Sequence, residues 1–224
     1  MGSAVGSAVG GRGSGRAIMV HMIPLDGFNL TGTHVQLEPL SLDHVHQLVV
    51  AANEDRRSFG WTAVPDSVGA MTSYVSALVA DAERGQVIPF AQRRLDDLRV
   101  VGCTRYLEIR YWTGRALPDE VEIGGTWLAA SAQRTGVNTE AKLLLLTNAF
   151  ETWQVRRLAI CTDARNTQSR DAILRLGASF EGVLRNCRGS AVAGEIGQPR
   201  DTAAYSIIDT EWPRVRKRLL DRLK

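Results

Sequence analysis

Residues 121–142 read VEIGGTWLAASAQRTGVNTEAK, and the order of strand, polar turn and helix in this stretch decides the fold. The segment Glu120–Ala129 is predicted as a strand, and Glu140–Trp153 is predicted as a helix because its apolar residues recur every three or four positions. A polar turn centred on Gly136 joins them. Backbone N–H groups at a helix start have no intrahelical acceptor and lie at the positive end of the helix dipole, which favours anions. These residues leave two interpretations open, an ordinary connection and a phosphate site.

Common nucleotide-binding signatures are missing from the turn. No Lys followed by Ser or Thr comes after Gly136, so the phosphate-binding loop of nucleoside triphosphatases is excluded. No GxGxxG sequence opens a helix, which excludes a dinucleotide fingerprint. The zinc-deaminase signature is also absent, so modification of a flipped nucleobase is not expected.

Charge and composition argue against a nucleic-acid partner. The net charge of the 224-residue chain is +3, and much of the excess lies at its ends, in Arg12, Arg16 and the run 214–224. Basic residues are not interleaved with aromatic residues along one stripe. With 44% hydrophobic and 23% charged residues, the chain has the composition of a globular protein with a sizeable core.

Cysteine usage and hydropathy predict a cytoplasmic protein. Cys103, Cys161 and Cys187 are widely spaced and odd in number, so they offer neither a CxxC pair nor a disulfide framework. No apolar run approaches the length of a membrane span, and the N-terminus lacks the apolar core of a signal peptide. His44 and His46 lie two apart on a predicted helix and point to different sides, so no metal site is expected.

The chain is predicted to consist of a tail and one domain. Residues 1–24 begin with a Gly- and Ser-rich repeat that buries too little apolar surface to offset its ordering entropy, which predicts a flexible tail. Residues 25–224 are predicted to form the domain. Its elements run in the order strand, two helices, three strands, helix, strand, helix, two strands, helix. That order is typical of a mixed α/β domain with one central sheet.

The turn before the long helix resembles a coenzyme-binding loop. Residues Gln133–Asn138 read QRTGVN. This resembles the coenzyme A (CoA) pyrophosphate loop of the GNAT superfamily, which reads Gln or Arg, two residues, Gly, one residue, then Gly or Ala. Asn138 departs from the small residue at the last position.

A second block resembles one branch of that superfamily. Residues 158–186 read LAICTDARNTQSRDAILRLGASFEGVLRN. They carry the Asn-x-x-Ser, Leu-Gly and Glu-Gly sequences of the branch that contains the ribosomal-protein N-terminal alanine acetyltransferases. Residues 200–215, RDTAAYSIIDTEWPRV, resemble the last strand and helix of that branch. The resemblance runs from about Gly32 to the C-terminus.

The resemblance implies a fold, a reaction and partners. The fold would be a single GNAT-like domain of the mixed α/β class, with a central, mostly antiparallel sheet splayed in the middle and flanked by helices. The reaction would move an acetyl group from acetyl-CoA to a primary amine, either a protein N-terminus or a small amine. The amine would attack directly, with no covalent enzyme intermediate. No metal, nucleic acid or membrane would take part, and a homodimer through the sheet or the terminal helix is usual in this branch.

For the coenzyme, the resemblance implies that loop N–H groups hold the pyrophosphate and that the free edge of the preceding strand holds the pantetheine arm. The Leu128 N–H would face the thioester oxygen, and Asn166 would bind the pantetheine or the loop. The residues assigned to coenzyme binding are Leu128, Ala130, Gln133, Arg134, Thr135, Gly136, Val137, Asn138, Thr139, Asn166 and Ser169.

Two side chains are predicted to move protons. Many GNAT enzymes protonate the leaving thiolate with a tyrosine, but that position is Ile173 here, so the role passes to Ser169 of the Asn-x-x-Ser sequence. The alternative is that Ser169 only caps the helix or satisfies hydrogen bonds at its N-terminus. For the base, Glu122 on the central strand is favoured, acting through water, with Glu108 and Glu120 as rivals. Each glutamate is alternatively a solvated or ion-paired strand residue.

Aromatic residues are candidates for the acceptor site. Phe59 and Trp61 lie between the first two predicted helices, in the loop that lines the acceptor groove in this superfamily. The alternative is that they close the edge of the core. Trp127 is a third candidate, although packing is the commoner role for such a residue.

Two other functions stay open. Asn138 and the absent tyrosine are compatible with a non-catalytic acyl-CoA-binding module. A different donor, such as succinyl-CoA, fits the same loop.

Overall fold

The computed structural model describes residues 28–224, so the tail predicted for residues 1–24 lies outside the described residues. Eight strands form one sheet in the order β1-β2-β3-β4-β5-β6-β8-β7, and every neighbouring pair is antiparallel except β5 with β6. The mixed α/β fold with a mostly antiparallel sheet is confirmed. The strands are β1 (Leu30–Thr31), β2 (Val35–Pro39), β3 (Ile88–Arg94), β4 (Val100–Arg110), β5 (Glu120–Leu128), β6 (Arg157–Asp163), β7 (Ser179–Gly189) and β8 (Pro199–Ile208).

Helices cover both faces of the sheet. They are α1 (Val45–Ala52), α2 (Val68–Glu83), α3 (Gly136–Thr147), α4 (Thr167–Leu176) and α5 (Trp212–Asp221). Successive side chains of β4 point to opposite faces, so Thr104 contacts Lys142 of α3 whereas Arg105 contacts Tyr74 of α2. Within residues 28–224, no helix is both long enough and apolar enough to cross a bilayer.

A side-chain cap sets where α3 begins. Thr135 Oγ1 accepts a hydrogen bond from the Val137 N–H at 3.3 Å, and the helix starts at Gly136, before the predicted start at Glu140. The Glu140 carboxylate accepts hydrogen bonds from the N–H groups of three residues in the β1–β2 turn, Thr33 at 2.8 Å, His34 at 2.6 Å and Val35 at 2.9 Å. These bonds hold the first turns of α3 against the sheet and thereby fix the loop before it.

The sheet opens between β5 and β6. The two strands pair over three residues each, Glu120–Glu122 with Arg157–Ala159, and then diverge. Just beyond this point β5 is irregular, and Gly125 has a φ of +56°, which favours glycine. The predicted splay is confirmed, and it leaves one edge of residues 123–128 without a neighbouring strand.

Candidate active site

The loop between β5 and α3 is held to the end of β5 and to the α1–α2 connection. Gln133 Nε2 donates to Leu128 O and to Ser58 Oγ, each at 2.9 Å. Arg134 adopts a left-handed conformation with a φ of +59°, and Thr135 caps the helix that follows. The N–H groups at the start of α3 are therefore presented in a fixed arrangement, which suits an anion.

A cavity of about 180 Å³ lies against the start of α3. It is lined by His34, Arg94, Asp96, Asp97 and Thr135–Val137. Charges of both signs are present, and Arg94 is bound to Asp97 at 2.5 Å. A Cβ built on Gly136 would lie 2.9 Å from the His34 ring, so any larger residue there requires His34 to move and narrows the cavity.

Asn138 fits the loop less well than its neighbours. Its Oδ1 is buried and has no hydrogen-bond partner among the residues that the structure describes. A buried polar atom left unpaired costs about 1–3 kcal/mol of stability. The side chain that departs from the family pattern is therefore also a local source of instability.

The free edge of β5 presents the Leu128 N–H to the opening. The Ala129 N–H donates to Val101 O of β4 at 2.7 Å, and successive N–H groups of an extended strand point to opposite edges. The Leu128 N–H consequently points away from β4, toward the side where β6 has diverged. Leu128 O accepts its hydrogen bond from Gln133, as expected for a carbonyl on that side.

Asn166 and Ser169 lie at the start of α4. Because β5 and β6 are parallel, the helices that follow them, α3 and α4, begin at the same end of the sheet. Asn166 Oδ1 accepts a hydrogen bond from the Ser169 N–H at 3.0 Å and so caps α4. The half-buried Ser169 hydroxyl makes no hydrogen bond within the described part of the chain, which leaves it available to a ligand.

All three candidate bases are ion-paired. Glu122 is 3% exposed, and its two oxygens accept from Arg188 Nη1 at 2.7 Å and Nη2 at 2.6 Å. These bonds raise the pKa of Arg188 above its ordinary value. Glu108 and Glu120 also bind arginines. Of the three, Glu122 belongs to the last β5–β6 pair and therefore lies where the sheet opens.

The three predicted aromatic residues make two contacts around this opening. Phe59 packs edge-on against Trp127, with ring centroids 5.9 Å apart. The Arg165 guanidinium stacks on Trp61, 4.8 Å from the ring centroid. The α1–α2 connection thus reaches both β5 and the turn that precedes α4.

Arg165 links three loops beside Trp61. Its guanidinium binds Asp163 at the end of β6 and Glu195 in the β7–β8 connection, with distances of 2.8–3.0 Å. The bonds to Arg165 lower the pKa of Glu195 to about 2 and also lower the pKa of Asp163. Both carboxylates are therefore ionised at neutral pH and hold the arginine in place.

Sequence reasoning missed Arg188 and Arg165. Arg188 lies 66 residues from Glu122, and no motif connects them. Arg165 directly precedes Asn166, and that position is the one signal that could have drawn attention to it.

A splayed sheet with a capped loop after the opened strand defines the architecture of the GNAT acetyltransferases. Residues 34–179 match the family described as Acetyltransferase (GNAT) domain. The chain belongs to this family.

Individual relatives agree with this assignment. The Bacillus subtilis (strain 168) protein named "Putative ribosomal N-acetyltransferase YdaF" is 35% identical over 88 residues, which are 39% of this chain and 45% of that protein. The alignment thus spans less than half of that relative. A T. thermophilus structure described as "putative acetyltransferase" is 30% identical, with a TM-score of 0.73 and coverage of 88% of this chain and 97% of that one. Mycobacterium smegmatis RimJ, solved with CoA-disulfide, shares the fold, with 24% identity, a TM-score of 0.68 and coverage of 84% and 88%.

Proposed function

We propose that this chain transfers an acetyl group from acetyl-CoA to a primary amine, a protein N-terminus or a small amine, by direct attack. The observation that carries the proposal is the opened edge of β5, which leads into the capped loop at the start of α3. The complex of M. smegmatis RimJ with CoA-disulfide supports a CoA donor, and the name of the B. subtilis relative supports an N-terminal acceptor.

The loop would hold the pyrophosphate of the donor through backbone N–H groups. Gly136 allows close approach, and the helix dipole adds a favourable field. The unpaired edge of β5 would hydrogen-bond the pantetheine arm, and the Leu128 N–H would stabilise the oxyanion. The residues proposed to contact the donor are Leu128, Ala130, Gln133, Arg134, Thr135, Gly136, Val137, Asn138, Thr139, Asn166 and Ser169.

Ser169 is proposed as the group that protonates the leaving thiolate. Its hydroxyl has no partner in residues 28–224, and it lies at the start of α4, at the same end of the sheet as the loop. An aliphatic hydroxyl is a weaker acid than a thiol, whose pKa is about 8.5, so Ser169 would act as a relay that donates its proton to the thiolate while it accepts one from a bound water.

Ser169→Ala is therefore expected to lower the rate of the chemical step at saturating acetyl-CoA roughly tenfold or more, with a smaller loss of acetyl-CoA affinity. Single-turnover acetylation measures this step directly. Thr167→Val, at the exposed first position of α4, is the control and should keep full activity. Unchanged single-turnover kinetics in Ser169→Ala would remove the residue from the mechanism.

Glu122 is proposed as the base that accepts the amine proton through water. Its pairing with Arg188 orients the carboxylate at the point where β5 and β6 part. Phe59, Trp61 and Trp127 would form the wall of the acceptor groove beside it.

Replacing Glu122 by Gln keeps the size of the side chain and one oxygen for Arg188 but removes the base. We expect kcat to fall about 100-fold, because general bases contribute factors of about 10²–10⁴. The control is Arg188→Lys, which weakens the same ion pair and leaves the carboxylate. If the loss of activity in each variant follows the fall in its melting temperature, Glu122 has only a structural role.

The assay that tests the function uses purified protein, acetyl-CoA and a peptide with a free N-terminal alanine. One molecule of free CoA should be released for each molecule of acetylated peptide. Without the peptide, no acetylated form of the enzyme should accumulate. Binding of acetyl-CoA without turnover over a broad amine panel would instead identify a CoA-binding module.

The proposal also covers the domain organisation, the compartment and the oligomeric state of the protein. We place one acyltransferase domain in residues 25–224 of a cytoplasmic protein. A homodimer is proposed because β7 is an edge strand that exposes Phe180, Val183 and Leu184.

A further inference from the structure

Arg105 lies on β4, on the sheet face that α2 covers, and its charge is not balanced by a neighbour. No carboxylate oxygen in the described part of the chain lies within 4.0 Å of its nitrogens. Two other arginines of the central strands, Arg93 and Arg110, bind Glu38 and Glu108. A half-buried guanidinium without an anion is energetically costly, and such a group is a candidate for binding one.

The groups around Arg105 are hydrogen-bond donors. Its Nη1 donates to the Tyr74 hydroxyl at 3.4 Å, while its buried Nε has no acceptor among the described residues. Burial raises the pKa of Tyr74 to about 12, so this hydroxyl keeps its proton at neutral pH. Trp127 lies on the same face, because it pairs with Cys103, two residues before Arg105, and its buried Nε1 is close to the Tyr74 hydroxyl without forming a well-aligned hydrogen bond.

The one carboxylate that this part of β5 offers is already bound. Arg105 pairs across the ladder with Gly124, and Glu122 pairs with Leu107, so the two charged side chains share a face. Both oxygens of Glu122 are nevertheless taken by Arg188, at 2.7 and 2.6 Å. Arg105 is therefore left beside the opened stretch of β5, without a carboxylate partner among the described residues.

The irregular segment of β5 holds the guanidinium in place. A Cβ at Gly125 would lie 2.6 Å from Arg105 Cζ, so the guanidinium occupies the space that glycine leaves. Gly125 also belongs to the stretch of β5 that has lost β6 as a neighbour. Arg105 consequently sits beside the strand that would carry the thioester.

We propose that Arg105, with Tyr74 and Trp127, binds a carboxylate on the acceptor, so the preferred acceptors are amines that carry a carboxylate near the amino group. The inference rests on the proposed acetyltransferase function. An arginine side chain can bind a carboxylate through two parallel N–H bonds, and the tyrosine and indole donors add to this.

Two matched pairs of acceptors test the inference and distinguish the source of the carboxylate. Alanine against alaninamide probes a backbone carboxylate, and the peptides Ala-Asp-amide against Ala-Asn-amide probe an acidic side chain. Each ratio of kcat/KM is compared between the wild-type protein and Arg105→Gln, so differences in amine basicity cancel. Arg105→Lys keeps the charge and serves as the conservative variant.

In the wild type, at least one pair should favour the carboxylate member about tenfold or more, as expected for a hydrogen-bonded charge. Arg105→Gln should reduce that preference to within about twofold, and Arg105→Lys should retain part of it. Calorimetry with N-acetylalanine, on protein saturated with CoA, gives the same comparison without turnover and should show weaker binding to Arg105→Gln.

Equal ratios in the wild type and Arg105→Gln, together with equal binding of N-acetylalanine, would overturn the carboxylate site. Turnover of the acceptors that lack the tested carboxylate distinguishes this failure from a failure of the proposed function. A protein that acetylates alaninamide or Ala-Asn-amide but shows no effect of Arg105 keeps its function and lacks this specificity. A protein that acetylates none of the four acceptors lacks the function itself.

Discussion

Replacing Gly136 with glutamate is expected to abolish acetyl-CoA binding, weakening it more than about 100-fold. The new side chain would stand at the start of α3, where the pyrophosphate is proposed to lie, and its negative charge would repel the ligand. It would also crowd His34, because a Cβ at this position lies 2.9 Å from that ring. Calorimetric titration measures the loss.

Two control variants separate charge from crowding. Gly69→Glu places the same side chain in the first turn of α2, where a Cβ meets nothing within 4 Å, and should bind acetyl-CoA normally. Adding His34→Ala to Gly136→Glu relieves the crowding and keeps the charge, so binding should stay lost. Unchanged affinity in Gly136→Glu would show that the donor does not use this loop.

Replacing Lys142 with methionine is expected to stabilise the fold at pH 7 by roughly 3–4 kcal/mol. Lys142 is 6% exposed, and its Nζ contacts Thr126 Oγ1 at 2.6 Å and Thr104 Oγ1 at 3.3 Å. Burial lowers the pKa of Lys142 from 10.5 to about 7. One unit of pKa difference corresponds to about 1.4 kcal/mol, and methionine fills similar space without a charge to bury. The two threonine hydroxyls already bond each other at 2.8 Å, so neither loses its only partner.

The lowered pKa of Lys142 makes the stability of the wild-type protein depend on pH. Between about pH 7 and pH 10.5 the unfolded chain binds more protons at Lys142 than the folded chain, so the stability of the wild type rises with pH in that range. The penalty is fully present below pH 7. The advantage of Lys142→Met should therefore shrink to about 1 kcal/mol or less at pH 10.

Urea unfolding at pH 7 and pH 10 tests this expectation. Lys217→Met is the matched control, because Lys217 is exposed on α5 and its one ion-pair partner among residues 28–224 is Asp221, and it should change stability by less than about 0.5 kcal/mol. An advantage of Lys142→Met that is absent at pH 7, or equal at both pH values, would show that burial does not lower the pKa of Lys142.

Most of the fold could be predicted from the sequence, because its longer strands and helices have clear periodicity. The elements that were missed are short or begin without apolar periodicity. The two-residue strand Leu30–Thr31 is too short for any pattern, and α3 begins at Gly136 through the cap of Thr135 rather than through apolar spacing. Before α1, residues Leu42–His44 form a tighter turn than an α-helix, and Leu42 is 53% exposed there although it is apolar.

The candidate site could be predicted only in part. The loop Gln133–Asn138 is continuous in sequence, so its spacing was visible without a structure. The partners that shape the groove come from distant strands, as with Glu122 and Arg188, and they depend on strand order and register. The contact of Arg105 with Tyr74 depends equally on how α2 packs across β4.

Calorimetric titration of acetyl-CoA into the purified protein tests whether the loop at Gly136 holds the donor. We expect micromolar binding at one site per chain, lost in Gly136→Glu and kept in Gly69→Glu. No detectable binding of acetyl-CoA, succinyl-CoA or free CoA by the wild-type protein would contradict it, and the GNAT fold would then carry a different function in this chain.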